Sequence, residues 1–208
     1  MSYAVKELFL TLQGEGMQAG RRAIFLRFAG CNLWSGREQD RAEARCTFCD
    51  TDFVGTDGVN GGRYEAAALA AKVRALWGGA PRPLVVITGG EPMLQLDPPL
   101  LDALHGEGFE VAVETNGTLP APPGIDWICV SPKAGTDVVQ REGDELKLVW
   151  PQEGIDPEAL LAWRFDHFLI QPMDCDARDS ALKDAIAYVM AHPSWKLSLQ
   201  THKLLGLP

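Results

Sequence analysis

Three cysteines carry the first chemical signal in the chain. Cys46 and Cys49 form a CxxC pair, Cys46-Thr47-Phe48-Cys49, and Cys31 precedes the pair with fourteen residues between. The short turn of a CxxC pair brings two sulfurs to one metal centre, and soft thiolates suit zinc or iron–sulfur clusters. Structural zinc wants four protein ligands. A fourth could come only from Cys129, Cys175 or the distant His105, His167, His192 and His202. Three thiolates on a four-iron cluster instead leave one iron open to a bound molecule. Cys129, within Trp127-Ile128-Cys129-Val130, reads as a buried strand residue, the common fate of cysteine, and Cys175 reads as unligated.

A second signal is Thr88-Gly89-Gly90-Glu91-Pro92, where two glycines without side chains let a backbone come close to a bound molecule. A tight turn from strand to helix is the plainer reading of the same glycines. A third is Arg27, a cation inside the apolar run Ala23-Ile24-Phe25-Leu26. A guanidinium there must be paired, either to an internal Glu or Asp or, bidentately, to a bound carboxylate.

The elements that must position these residues are short apolar strands alternating with helices. Strands are predicted at Val5–Leu10, Ala23–Ala29, Leu84–Ile87, Glu110–Val113, Trp127–Val130, Glu145–Val149, Phe168–Ile170 and Lys196–Leu199. Helices are predicted at Tyr64–Trp77, Pro98–His105, Asp156–Trp163 and Asp179–Met190. Residues 31–63 lack periodicity and read as a functional loop. The alternation implies a parallel sheet covered by helices, with too few units for a full eight-fold barrel. The expectation is a single-domain α/β protein over residues 1–208, a partial, open parallel α/β barrel. In such folds the site lies at the C-terminal ends of the strands. Gly30-Cys31, Thr88-Gly89-Gly90, Glu114-Thr115-Asn116-Gly117, Ser131-Pro132-Lys133 and Gln171-Pro172-Met173-Asp174 should therefore share one rim.

Composition narrows the class. With 208 residues, 46% hydrophobic and 23% charged, the chain has the make-up of a soluble globular enzyme. No apolar run is long enough to span a bilayer, and the first residues carry no export signal, so no membrane and a cytoplasmic location are expected. A net charge of −9 argues against nucleic acid as a partner. Five cysteines in such a chain read as metal ligands or redox groups rather than disulfides.

Together these features resemble the radical S-adenosylmethionine superfamily, whose CxxxCxxC triad is matched with its first gap enlarged. More narrowly the chain is similar to the 7-carboxy-7-deazaguanine synthase family. Leu12-Gln13-Gly14-Glu15-Gly16, Phe28-Ala29-Gly30-Cys31-Asn32-Leu33, Cys49-Asp50-Thr51, Glu114-Thr115-Asn116-Gly117, Ser131-Pro132-Lys133, Gln200-Thr201-His202-Lys203 and Gly206-Leu207-Pro208 match it in order. The departure is the insertion Trp34–Arg45, in which Trp34, Arg37 and Arg41 read as surface or loop-packing residues rather than catalytic ones.

The resemblance implies a 4Fe-4S cluster on Cys31, Cys46 and Cys49, with S-adenosylmethionine chelating the open iron. It implies a 5′-deoxyadenosyl radical that takes hydrogen from C6 of 6-carboxy-5,6,7,8-tetrahydropterin. Ring contraction to 7-carboxy-7-deazaguanine, with loss of ammonia, would follow. Phe48, Asp50, Gly89, Gly90, Ser131, Lys133, Gln171, Met173, Asp174, Cys175 and Asp176 would meet S-adenosylmethionine. Leu12, Gln13, Gly14, Glu15, Arg27, Thr88 and Pro208 would meet the pterin, and Thr51 would ligate Mg2+. A flavodoxin-type electron donor and a homodimer are implied as well. The apolar ending Leu204-Leu205-Gly206-Leu207-Pro208 suggests a docked tail, which either covers the open edge of the barrel or brings the Pro208 carboxylate to the site. The competing readings are a glycyl-radical activating enzyme, an iron–sulfur electron carrier and a zinc-stabilised binding module.

Overall fold

The computed structural model describes residues 2–208. Its framework is a nine-stranded mixed sheet in the order β3-β1-β2-β4-β5-β6-β7-β8-β9. The strands are β1 (Ser2–Leu12), β2 (Arg22–Phe28), β3 (Gly62–Glu65), β4 (Leu84–Gly89), β5 (Glu110–Thr115), β6 (Trp127–Val130), β7 (Glu142–Trp150), β8 (Arg164–Pro172) and β9 (Lys196–Leu197). From β2 across to β9 every pair is parallel, whereas β1 runs antiparallel to both β2 and β3. The sheet ends at β3 and β9 without closing. It is the expected open α/β barrel, extended by an antiparallel edge.

Strand alternation sorts the side chains between two faces. On the outer face Ile24, Leu26, Val85, Ile87, Val111 and Val113 are buried beneath helices α1 (Ala66–Trp77) and α2 (Pro98–Gly106). Val130, Leu146, Leu148 and Ile170 form a second core with Ala185 of helix α4 (Arg178–Ala191) and with Trp195. On the inner face Ala23, Leu84, Val86 and Ala112 pack with Phe25 and Trp127 into a smaller plug. The next inward positions along those strands are Arg27, Thr88 and Glu114. The period of two thus turns the inner face from apolar to polar at the strand ends.

Local differences from the sequence reading have local causes. The helix predicted from Tyr64 begins at Ala66, because Arg63, Tyr64 and Glu65 pair with β1 as an edge strand. Asp156–Trp163 is helical only as α3 (Pro157–Leu160). Beyond it Leu161, Ala162 and Trp163 donate to carbonyls three residues back, a tighter winding that lets the chain enter β8 at Arg164. A short helix α5 (Thr201–Leu205), not anticipated, precedes the last residues. No helix among the described residues is long and apolar enough to cross a membrane.

Candidate active site

The strand ends surround one cavity of about 420 Å3. Cys31, Cys46 and Cys49 all line it, as do Phe48, Asp50, Thr51, Gly89, Gly90, Ser131, Lys133, Gln171, Met173 and Asp174. Leu12, Gln13, Gly14, Glu15, Arg27, Thr88 and Pro208 line it too. Of the residues expected to meet cluster, cofactor, metal ion or substrate, only Cys175 and Asp176 lie outside the lining, and both are exposed.

Each cysteine is placed by its surroundings. Cys31 follows β2, and its sulfur accepts from the Leu33 N–H at 3.4 Å. Cys46 hydrogen-bonds to Cys49; that bond, ahead of the opposing effect of burial, draws the Cys49 thiol down to about 6. The same bond and burial push Cys46 up. The inserted segment braces this turn. Trp34 is buried edge-on against Phe53 at 5.6 Å, and the Arg41 guanidinium lies 4.0 Å over the Trp34 ring. Arg41 Nη1 then donates to the carbonyls of Thr47 at 2.9 Å and Cys49 at 3.0 Å. Trp34 and Arg41 are packing residues, as expected, but the loop they pack is the one that carries Cys46 and Cys49. From the other side Lys6, with its side chain 9% exposed, donates to Val54 O and pairs with Asp52 and Asp57, each at 2.8–2.9 Å. Cys129 is buried in β6, away from the cavity. The donor set is thus three thiols bordering one volume, which fits a four-iron cluster with one iron open. No three His, Cys, Asp or Glu side chains among the described residues converge as a single ion would require.

The glycine segment is fixed by close packing. Gly89 has φ of 144°, and a Cβ there would stand 2.4 Å from the Phe28 carbonyl oxygen. Two residues on, Glu91 is fully buried. It accepts from the Thr115 hydroxyl at 2.7 Å, Asn116 N at 2.8 Å and Met93 N at 3.0 Å. Its own N–H donates to Gly30 O at 3.0 Å. The Glu91 carboxylate therefore joins the loops after β4 and β5, and its backbone N–H adds the loop after β2. Burial raises its pKa, and the three donors only partly offset that.

The far wall is polar. Arg27 Nε bonds to Glu7 Oε1 at 2.7 Å, so the internal partner foreseen for this arginine exists, while Arg27 still lines the cavity. Lys147, 3% exposed, bridges Glu15 and Glu114, the latter at 2.9 Å. Gln13 Nε2 donates to Glu114 at 2.8 Å, and Gln200 Nε2 to Glu15 at 2.9 Å. Burial alone would raise the Glu15 pKa, but the Lys147 ammonium outweighs it and holds the carboxyl at about 2. Lys133 Nζ donates to both oxygens of Ser131 at 2.7 Å and sits 5.8 Å over the Phe48 ring. Burial lowers the Lys133 pKa.

Sequence reading missed Glu7 and Lys147 as wall residues and gave Lys203 no role, whereas Glu114 lies on the rim as expected. Lys147, in Leu146-Lys147-Leu148, carried the same signal as Arg27, a cation inside an apolar strand. Of the two readings of the tail, Pro208 does border the cavity and the edge cover by leucines is not found. Leu204 and Leu205 are 76% and 64% exposed, so they cover no edge. The tail is seated by polar contacts instead: Thr201 N and Oγ1 both donate to Gly14 O at 2.9 Å, and Thr11 Oγ1 donates to Pro208 O at 3.2 Å.

Comparison with known proteins agrees with this geometry. A model of the radical SAM superfamily matches residues 40–143, a span that holds Cys46, Cys49 and the glycine segment. The chain is 64% identical to 7-carboxy-7-deazaguanine synthase of Caulobacter vibrioides and 62% identical to that of Bordetella pertussis, with all of each chain covered. In fold it is similar to the crystal structure of QueE from Escherichia coli, with a TM-score of 0.72 and 29% identity over 96% of this chain and 94% of that one. Likeness of this extent, end to end, makes the chain a member of the 7-carboxy-7-deazaguanine synthase family within the radical S-adenosylmethionine superfamily.

Proposed function

We propose that this chain converts 6-carboxy-5,6,7,8-tetrahydropterin to 7-carboxy-7-deazaguanine with loss of ammonia, a radical ring contraction in queuosine-type biosynthesis. The observation that carries the reading is the single cavity in which three cysteines, a glycine pair and a polar wall meet. Full-length likeness to synthases favours it over a glycyl-radical activating enzyme. When bound, a 4Fe-4S cluster and S-adenosylmethionine supply radical hydrogen abstraction, the chemistry that side chains lack.

The chain's own residues bind and orient. Cys31, Cys46 and Cys49 hold the cluster. Gly89 and Gly90 let their backbone approach the methionine end of the cofactor, with Phe48, Asp50, Ser131, Lys133, Gln171, Met173 and Asp174 around the rest. Cys175 and Asp176, outside the lining, would reach it only from the edge of the same segment. Arg27 spends Nε on Glu7 and keeps its remaining N–H groups for the substrate carboxylate, with Thr88 its neighbour in register across the sheet. Gln13, Gly14, Glu15 and the Pro208 carboxylate supply oxygen acceptors for the N–H groups of the pterin, and Leu12 borders them. Thr51 offers a hard oxygen to Mg2+, which would otherwise be held by waters and the substrate carboxylate. A flavodoxin-type donor, a homodimeric assembly and one domain over residues 1–208 complete the reading.

The deciding experiment is anaerobic reconstitution with iron and sulfide, then incubation with reductant, S-adenosylmethionine, Mg2+ and carboxytetrahydropterin. We expect deazaguanine product and ammonia in equal amounts. Cluster-loaded protein that cleaves S-adenosylmethionine but leaves the pterin intact would rule the reading out.

A further inference from the structure

The tail that carries Pro208 has no buried residue in α5 to hold it. Its anchors are hydrogen bonds and one double ion pair, and the ion pair is made to Asp50 and Asp174 of the proposed cofactor wall, with Gln200 Nε2 also 3.3 Å from Asp50. Lys203 Nζ stands 2.5 Å from Asp50 Oδ2 and 2.6 Å from Asp174 Oδ2. Asp50 directly follows the cluster ligand Cys49, and Asp174 follows the end of β8. The two carboxylates come from segments 124 positions apart in the chain, and among the described residues this lysine is the one cation paired with both. Two residues before Lys203, Thr201 is bonded to Gly14 of the pterin wall. Four residues after it, the Leu207 N–H returns to His202 O at 2.9 Å, and Pro208 then reaches Thr11.

We propose that Lys203 is a positioning residue that couples the cofactor wall to the substrate wall, so that S-adenosylmethionine and the pterin each tighten the binding of the other. The inference rests on the functional reading above. Its physical basis is the cost of order. A cofactor that fixes Asp50 and Asp174 presents Lys203 with two carboxylates already in place. The tail is then ordered before the pterin arrives, and the pterin no longer bears that entropy. By linkage the effect is reciprocal: a pterin that holds Pro208 fixes Lys203, and through it the two aspartates beside the cofactor. An ammonium suits the task, since three rotatable N–H donors can serve two carboxylates at once. Without it the carboxylates, both within hydrogen-bond reach of one nitrogen, would repel each other.

The test uses cluster-loaded, unreduced full-length protein, in which both molecules bind without turnover. Dissociation constants for S-adenosylmethionine and carboxytetrahydropterin are measured anaerobically by calorimetry, each alone and with the other saturating. In the wild type each should tighten the other by the same factor, about tenfold. Lys203→Met should bring that factor close to one while iron content and Tm stay at wild-type values, and Lys203→Arg should restore most of it. Lys203→Gln serves as a second neutral variant if the Met protein loads less iron. Loss of iron or Tm in both neutral variants would reduce Lys203 to a structural support and overturn the proposal. So would a wild type that shows no mutual tightening, or a neutral variant that keeps it in full. A wild type that binds no pterin at all would instead overturn the functional reading.

Discussion

Gly90 lies against Gly30 so closely that a Cβ at position 90 would stand 2.3 Å from the Gly30 carbonyl oxygen and 2.5 Å from Cys31 Cβ. Both atoms belong to the segment that carries Cys31, the first cluster ligand in the proposed reading, and a backbone oxygen cannot swing aside as a side-chain tip can. Gly90→Ala should therefore displace Cys31, at a cost of roughly 1–3 kcal/mol for the overpacking. Iron and sulfide analysis after reconstitution should give clearly less cluster than the wild type, with Tm lowered. A variant with full iron and unchanged affinity for S-adenosylmethionine would show that the segment yields freely.

Replacing Cys31, Cys46 or Cys49 by Ala should abolish cluster assembly or turnover, because three thiolates are the whole cysteine supply of the cavity. Cys129→Ala should keep the cluster, since that thiol is buried in β6. Visible absorption and electron spin resonance of the reconstituted proteins distinguish the cases. An active Cys46→Ala enzyme would refute the assignment.

Lys147→Met should be the most destabilising single change in the polar wall. It strands Glu15 and Glu114 without their buried cation, a loss of about 3–5 kcal/mol near neutral pH. The pH dependence has a definite sign. Glu15 is held at about 2 in the fold against 4.5 ordinarily. Its contribution is complete above pH 4.5 and fades as pH falls toward 2. In Lys147→Met the ammonium that outweighs burial is gone and only hydrogen bonds from Gln200 and Gln171 still hold the Glu15 carboxyl down, so it takes a proton more readily and the deficit should shrink in acid. Urea unfolding of cluster-free protein at about pH 7 and about pH 4 measures this; a deficit that grows toward acid contradicts it.

Thr51→Ala should lower turnover with little change in cluster content or S-adenosylmethionine affinity, because the lost oxygen would serve the ion that meets the substrate. Chelation of Mg2+ should depress the wild type similarly and the variant hardly at all. Equal sensitivity of both proteins to chelation would remove Thr51 from the metal site.

Adding one Gly after Pro208 moves the carboxylate and leaves every tail contact of Gln200, Thr201 and Lys203 in place. We expect KM for the pterin to rise more than kcat falls, with Tm constant. Unchanged kinetics would assign Pro208 a purely structural part.

The strands and the cysteines were legible because their signals are local: short apolar runs, and a CxxC turn. Arg27 was legible for the same reason, since a cation in an apolar run announces a partner. What stayed hidden depends on register. Lys147 faces inward because it shares parity with Glu145 and Val149, and the sequence does not say which face of β7 is inner until the sheet is assembled. The strand Gly62–Glu65 was hidden by the helix that follows, whose Ala- and Leu-rich pattern runs back into Tyr64. The role of Arg41 was hidden by distance in another sense, because its target is the carbonyl of Cys49 and main-chain acceptors leave no mark in a sequence. The leucines near the end misled, since apolar character there matches exposure rather than burial.

The bond from Thr201 to Gly14 spans 187 positions, and that from Thr11 to Pro208 spans 197. Between them the parallel strands lie in chain order from β4 to β9, so each can add to its predecessor as the polypeptide emerges. The polar wall of the cavity cannot. While residues 200–208 are still within the ribosome, Gly14 and Thr11 lack their partners and the cavity is open on that side. The nascent chain thus presents its three cysteines in a wider vessel than the finished protein does.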